Sequence, residues 1–224
     1  MIWFWFLAAL AILVFWAFSH HRRSQRRRLL RAWARRRGLS FKAGPDNKVG
    51  IRFLELQLLG GGGATQGRNL ASGTIDGREV HAFDVVRGDG EDDEPSHRHS
   101  SFSCVLVKAD MPLIPLQVRP EGMGDRLAGA LGFDDINFES ADFSDRFHVT
   151  AADRKWAYDV VNGQNMEYLL NRPRAWLELG GWYCLVARSG SMSPDEFNSA
   201  LETARGFLDG IPESVKIEIM GPRS

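Results

Sequence analysis

Charge is missing altogether from residues 1–18, and acid from residues 1–37. Cysteine is scarce, two residues in 224, and neither stands in a Cys-x-x-Cys pair or beside a local histidine. That pattern excludes a thiol-built metal ribbon or a dithiol redox motif. No serine elbow, zinc-protease helix or dinucleotide fingerprint occurs, so the common sequence marks of hydrolases and nucleotide-dependent enzymes are lacking. There is no internal repeat. With 44% apolar residues the chain fills at least one hydrophobic core, which excludes a disordered protein. Lysine numbers 5 against 23 arginines, a bias of GC-rich bacterial genomes. The net charge of zero is a sum of unlike parts: nine arginines lie in 1–37, which leaves residues 38–224 at −9.

Met1 to Phe18 is uniformly apolar. As a helix it spans about 27 Å, close to the hydrocarbon thickness of a bilayer. Trp3 and Trp5 fall at one end and Trp16 and Phe18 at the other, where amphipathic rings prefer the headgroup level. The segment reads as one transmembrane anchor over residues 1–19. A cleaved signal peptide would need a basic leader ahead of the apolar run, and here the arginines follow it. Arg22, Arg23, Arg26, Arg27, Arg28, Arg31, Arg35, Arg36 and Arg37 form a collar over residues 20–38. Basic groups beside a span stay cytoplasmic, so the expected topology is N-terminus outside and the domain inside, at the inner membrane. The same arginines suit anionic lipid headgroups, with Leu29, Leu30 and Trp33 able to lay one helical face on the interface. Nucleic acid is not expected as a partner, because the domain behind the collar is acidic.

Residues 39–224 read as a soluble α+β domain with a largely antiparallel sheet from two hairpins and helices packed on it. Arg68–Ile75 and Arg78–Arg87 flank Asp76-Gly77, a favoured two-residue turn. Ser101–Lys108 alternates as a third strand, and Leu113–Val118 as a fourth, which Pro112 and Pro115 mark as an edge. A short helix is predicted over Asp125–Leu131, a strand over Arg146–Thr150, and helices over Arg154–Val161 and Asn165–Asn171. Ala175–Leu179 and Trp182–Arg188 read as the second hairpin across Gly180-Gly181. Ile51–Leu59 is too short for its periodicity to choose between helix and strand. The last helix carries the strongest signal: Ser193 caps it, Pro194 opens it, Glu196 completes a capping box, and Gly210 ends it.

The run Leu131-Gly132-Phe133-Asp134-Asp135-Ile136-Asn137-Phe138-Glu139-Ser140, followed by Phe143, Arg146-Phe147, Val149, Ala151, Asp153 and Ala157-Tyr158, resembles a family of uncharacterised bacterial proteins. That family has one short N-terminal membrane span and one cytoplasmic α+β domain. Ser72-Gly73, Asp76-Gly77 and Phe83-Asp84 sit in a similar context, and the likeness covers roughly residues 39–210. It implies the anchor and the domain, and it implies no activity or site residue.

Little in the chain points to chemistry. Gly62 to Gly67 has phosphate-loop spacing but is followed by Arg68-Asn69 where Lys-Ser or Lys-Thr is needed, so it reads as a flexible loop. His97-Arg98-His99 lies beside the five carboxylates of the loop 88–100 without the ordered spacing of a calcium loop, and no metal or cofactor is expected. Cys104 and Cys184 read as small buried thiols, with a Cys104–Cys184 disulfide to be weighed only if the domain were external. His81 and His148 read as solvent-facing strand residues. Asp134, Asp135, Glu139, Asp142, Asp145 and Asp153 crowd near Arg146 and Arg154, and caps and ion pairs account for such groups better than a hydrolytic pair. The expected function is a membrane-tethered, non-enzymatic module that binds a protein partner or organises at the inner membrane face. The alternative is a small-ligand or lipid sensor with a pocket near Trp156, Trp176, Trp182 and Tyr183.

Overall fold

The computed structural model describes residues 24–61, 64–88, 100–121 and 135–221, together with Trp5, Leu13 and His21. The anchor expected over 1–19 falls outside these residues, save for Trp5 and Leu13, both helical and exposed. Among the described residues no helix is long and apolar enough to cross a membrane. The helix expected at Asp125–Leu131 also lies outside them.

The first described element is a helix over residues 24–36 (α1), followed by β1 (Ser40–Lys42), α2 (Val49–Arg52) and α3 (Gln57–Gly60). Two long strands come next, β2 (Ala64–Ile75) and β3 (Arg78–Gly88). Their connection is the expected tight turn, with Asp76 at φ 48° and Gly77 at φ 81°, the two left-handed residues a type I′ hairpin requires. The chain continues through β4 (Ser100–Pro120), α4 (Ala141–Ser144), β5 (Phe147–Ala151), α5 (Arg154–Val160) and α6 (Gly163–Leu170). It ends with β6 (Trp176–Ser189), α7 (Pro194–Asp209) and α8 (Glu213–Met220). All six strands join one antiparallel sheet. The architecture is α+β, as the sequence pattern predicts.

Two sequence expectations are corrected. The segment read as a third and a fourth strand is one strand, β4, and it lies in the middle of the sheet. β6 runs along one side of it, while β3 pairs with the other side up to Val107 and β5 takes over from Leu116. Pro112 and Pro115 fall in the interval between those partners, where a missing N–H costs no ladder bond. The second hairpin does not exist, because Trp176–Ser189 is one continuous strand. Gly180 and Gly181 serve close approach rather than a turn. A Cβ on Gly180 would stand 2.5 Å from the carbonyl oxygen of Glu55, and Gly181, at φ 56°, lies against the Glu55 side chain.

The sheet separates two cores. One face carries α1, α7 and α8, with Phe197, Ala204 and Phe207 packed over Val105, Val107 and Val186. The other face is covered by α2, α3 and the residues that join them, where Val49, Phe53, Leu56, Leu58 and Leu59 pack on Phe83, Cys104, Leu106 and Leu185. Caps hold the helices: Asp153 accepts from the Trp156 N–H, Asn162 from Asn165, and Ser193 and Glu196 form the capping box of α7. The helix α8, with only Val215 buried, gave no sequence signal.

Candidate functional site

The arginine-rich segment is the feature the sequence singles out, and the structure divides it. Leu30, Trp33 and Ala34 of α1 are 2%, 3% and 0% exposed. The face expected on the lipid interface is therefore docked on the domain. Trp33 tilts against Phe197, centroids 5.3 Å apart, and its indole N–H donates to Asn198 Oδ1 at 2.7 Å. Leu29 alone of that trio stays outside, at 58% exposure.

Arg26 fastens the near end of the helix. Its guanidinium donates to both carboxylate oxygens of Asp84, at 3.1 and 2.6 Å, and to the Met192 carbonyl at 2.7 Å. Asp84 also accepts from the Ser103 hydroxyl at 2.6 Å and from Asn69 Nδ2 at 2.8 Å. Asn69 reaches it because the β2 ladder shifts register between Arg68 and Ala71, and Asn69 takes φ 54° there. Both ionic groups are largely withdrawn from water, so the bidentate geometry offsets a desolvation cost that a surface pair would not face. Arg27, Arg28, Arg35 and Arg36 remain exposed, Arg31 lies over the Phe41 ring at 5.6 Å, and Arg37 donates to Asn198 at 2.9 Å. Arg22, Arg23, Trp3, Trp16 and Phe18 lie outside the described residues.

Of the carboxylates of 134–153, two have structural partners. Asp135 binds the Val149 N–H and His148, Asp153 caps α5, and Asp134 is outside the described residues. His148 stays half exposed, held between Glu121 and Asp135. The four aromatics of the sensor reading are not brought together: Trp156 packs in the α7 core, Trp176 in the α3 core, and Trp182 is 45% exposed. Cys104 and Cys184 are buried as expected, and burial pushes both thiols well up. They sit in opposite cores, so no disulfide joins them. Among the described residues no group of three metal-ligating side chains converges, and His97 and His99 lie outside those residues.

Two buried polar groups escape sequence reading. Glu178, 1% exposed in the middle of β6, accepts the backbone N–H groups of Gln57 at 2.5 Å and Leu58 at 3.1 Å. Burial raises its carboxyl to about 7, against the pull of those donors. It caps the first turn of α3 from the strand beneath it. Its signal was an acid at an inward position of an apolar strand. His81, expected to face solvent, is 9% exposed, because α2 brings Phe53 edge-on to its ring at 5.2 Å. Its Nε2 bonds Glu79 at 2.9 Å, and burial nevertheless lowers its pKa.

The described residues thus define a single-sheet α+β protein with a basic helix clamped to it. No protein-family model matches the chain, and no curated protein does. A solved structure does match: the crystal structure of the mycobacterial trehalose monomycolate transport factor A, TtfA. It aligns over 88% of this chain and 97% of that chain with a TM-score of 0.64 and 13% sequence identity, a likeness of fold alone.

Proposed function

We propose that this protein is a membrane-tethered, non-enzymatic module, with residues 1–19 crossing the inner membrane and the α+β domain presented to a protein partner on the cytoplasmic side. The observation that carries the reading is the Arg26–Asp84 clamp. A helix that only linked an anchor to a domain would have no need of a largely buried bidentate ion pair and a docked tryptophan. Fastened this way, the domain keeps a fixed orientation to the bilayer. The exposed Arg27, Arg28, Arg35 and Arg36 favour an anionic leaflet by about 1 kcal/mol each. The mycobacterial transport factor A has a similar fold.

Proximity labelling from the intact membrane protein tests the reading. The expected result is a small set of membrane or inner-face proteins that is lost when Asp84→Ala frees α1. An empty set from the wild-type chain contradicts partner binding.

A further inference from the structure

We propose that the groove along the open edge of β2 takes an extended segment of a protein partner as an added strand; the inference rests on the partner binding proposed above and names its surface. The groove has a volume of about 470 Å³, within the range of ligand sites. Thr65 and Gln66 both line it. Successive strand residues send their side chains to opposite faces, so a groove that touches both runs along the edge of the strand. β3 takes one edge of β2 there, and the groove takes the other.

That second edge is only partly paired. β1 covers it from Leu70 to Ser72, and Asp46 exchanges both backbone bonds with Gly67, at 2.8 and 2.9 Å. Backbone groups two residues apart point the same way, so the Thr65 N–H and C=O also face outward. The chain turns into α2 before reaching them, and no described residue pairs with them on that side. Thr65 is 7% exposed, and its hydroxyl is buried there without a hydrogen-bond partner among the described residues. Beside this unpaired edge, Ile51 and Leu54 line the groove at 78% and 66% exposure, the most exposed aliphatic side chains among the described residues. The other lining side chains are those of Leu59 and the amides Asn47 and Gln66, so none is titratable and a charged ligand meets no counter-charge. A peptide main chain supplies a donor and an acceptor to the Thr65 edge and hydroxyl. An aliphatic side chain beside it packs on Ile51 and Leu54, the division of labour of strand addition.

The test uses the full chain in nanodiscs, with a displayed library of random peptides as the probe. Enriched peptides should carry an uncharged aliphatic residue. Leu54→Asp should weaken their binding about tenfold or more, whereas Ile217→Asp, at an exposed position of α8, should not. N-methyl groups at alternate peptide positions should abolish binding, and those at the positions between should be tolerated. In the free chain the Thr65 amide should exchange with solvent faster than that of Gln66, whose backbone faces β3, and the peptide should slow it. Peptides indifferent to Leu54→Asp, or without the alternation, overturn the added strand and spare partner binding. An empty selection while proximity labelling still returns partners does the same. Failure of both overturns both. A Thr65 amide already protected in the free chain assigns the edge to the chain itself and overturns the partner segment.

Discussion

Arg26 Nη2 lies 2.6 Å from Asp84 Oδ1, and Arg26 Nε lies 3.1 Å from Asp84 Oδ2, a bidentate bond between the basic helix and the third strand of the sheet. Removing either partner leaves the other charge in a site closed by Ser103, Asn69 and the Met192 carbonyl. Arg26→Ala and Asp84→Ala should each cost about 2 to 4 kcal/mol, and Arg26→Lys should recover little, because an ammonium cannot span both oxygens. Denaturant unfolding of the four members of a double-mutant cycle checks this, with strong coupling expected. Hydrogen exchange should report α1 loosening before the sheet does.

Glu178 predicts a pH dependence. Its carboxyl titrates at about 7 in the fold against an ordinary 4.5, so the folded state holds the proton more tightly. Stability from this group is complete below about pH 4.5 and declines as pH rises through 7, by about 3 kcal/mol in all. Glu178→Gln removes that slope. The difference between wild-type and variant stabilities, followed by unfolding from pH 4.5 to 8, should change in this direction; a difference independent of pH contradicts it.

At Gly180 the added methyl of an alanine meets the Glu55 backbone, which has no rotamer by which to yield. Gly180→Ala should destabilise by about 2 kcal/mol or more and lift the segment between α2 and α3. The check is melting temperature together with accessibility of a probe at Leu54. Alanine at Gly163, where nothing stands within 4 Å, is the tolerated comparison.

Both thiols should resist labelling by an aromatic disulfide in the folded protein and react completely in denaturant, since each is 0% exposed and its pKa is raised. Rapid labelling of either one in native buffer contradicts the opposed-core placement.

How far the sequence could be read follows from where each signal is written. The capping box at Ser193 and the Asp76-Gly77 turn are local chemistry, and both stand as expected. The Gly180-Gly181 pair has the composition of a turn, yet its cause is a segment 125 positions earlier in the chain, at Glu55. Trp33 and Leu30 show an amphipathic helix in sequence, but whether the apolar face meets lipid or the α7 core depends on Phe197 and Asn198. His81 alternates like a surface residue, and only the arrival of α2 buries it. Of the clamp, Asp84 was visible as an acid in an apolar strand, while its partner was one arginine among nine.

The central claim is the tether with its domain on the inner side. A pair of C-terminal reporters on the full chain, one active only in the cytoplasm and one only outside it, tests this most directly. Membrane-fractionated protein with the cytoplasmic reporter active is the predicted result. Activity of the external reporter, or protein released from the membrane by salt alone, would contradict it.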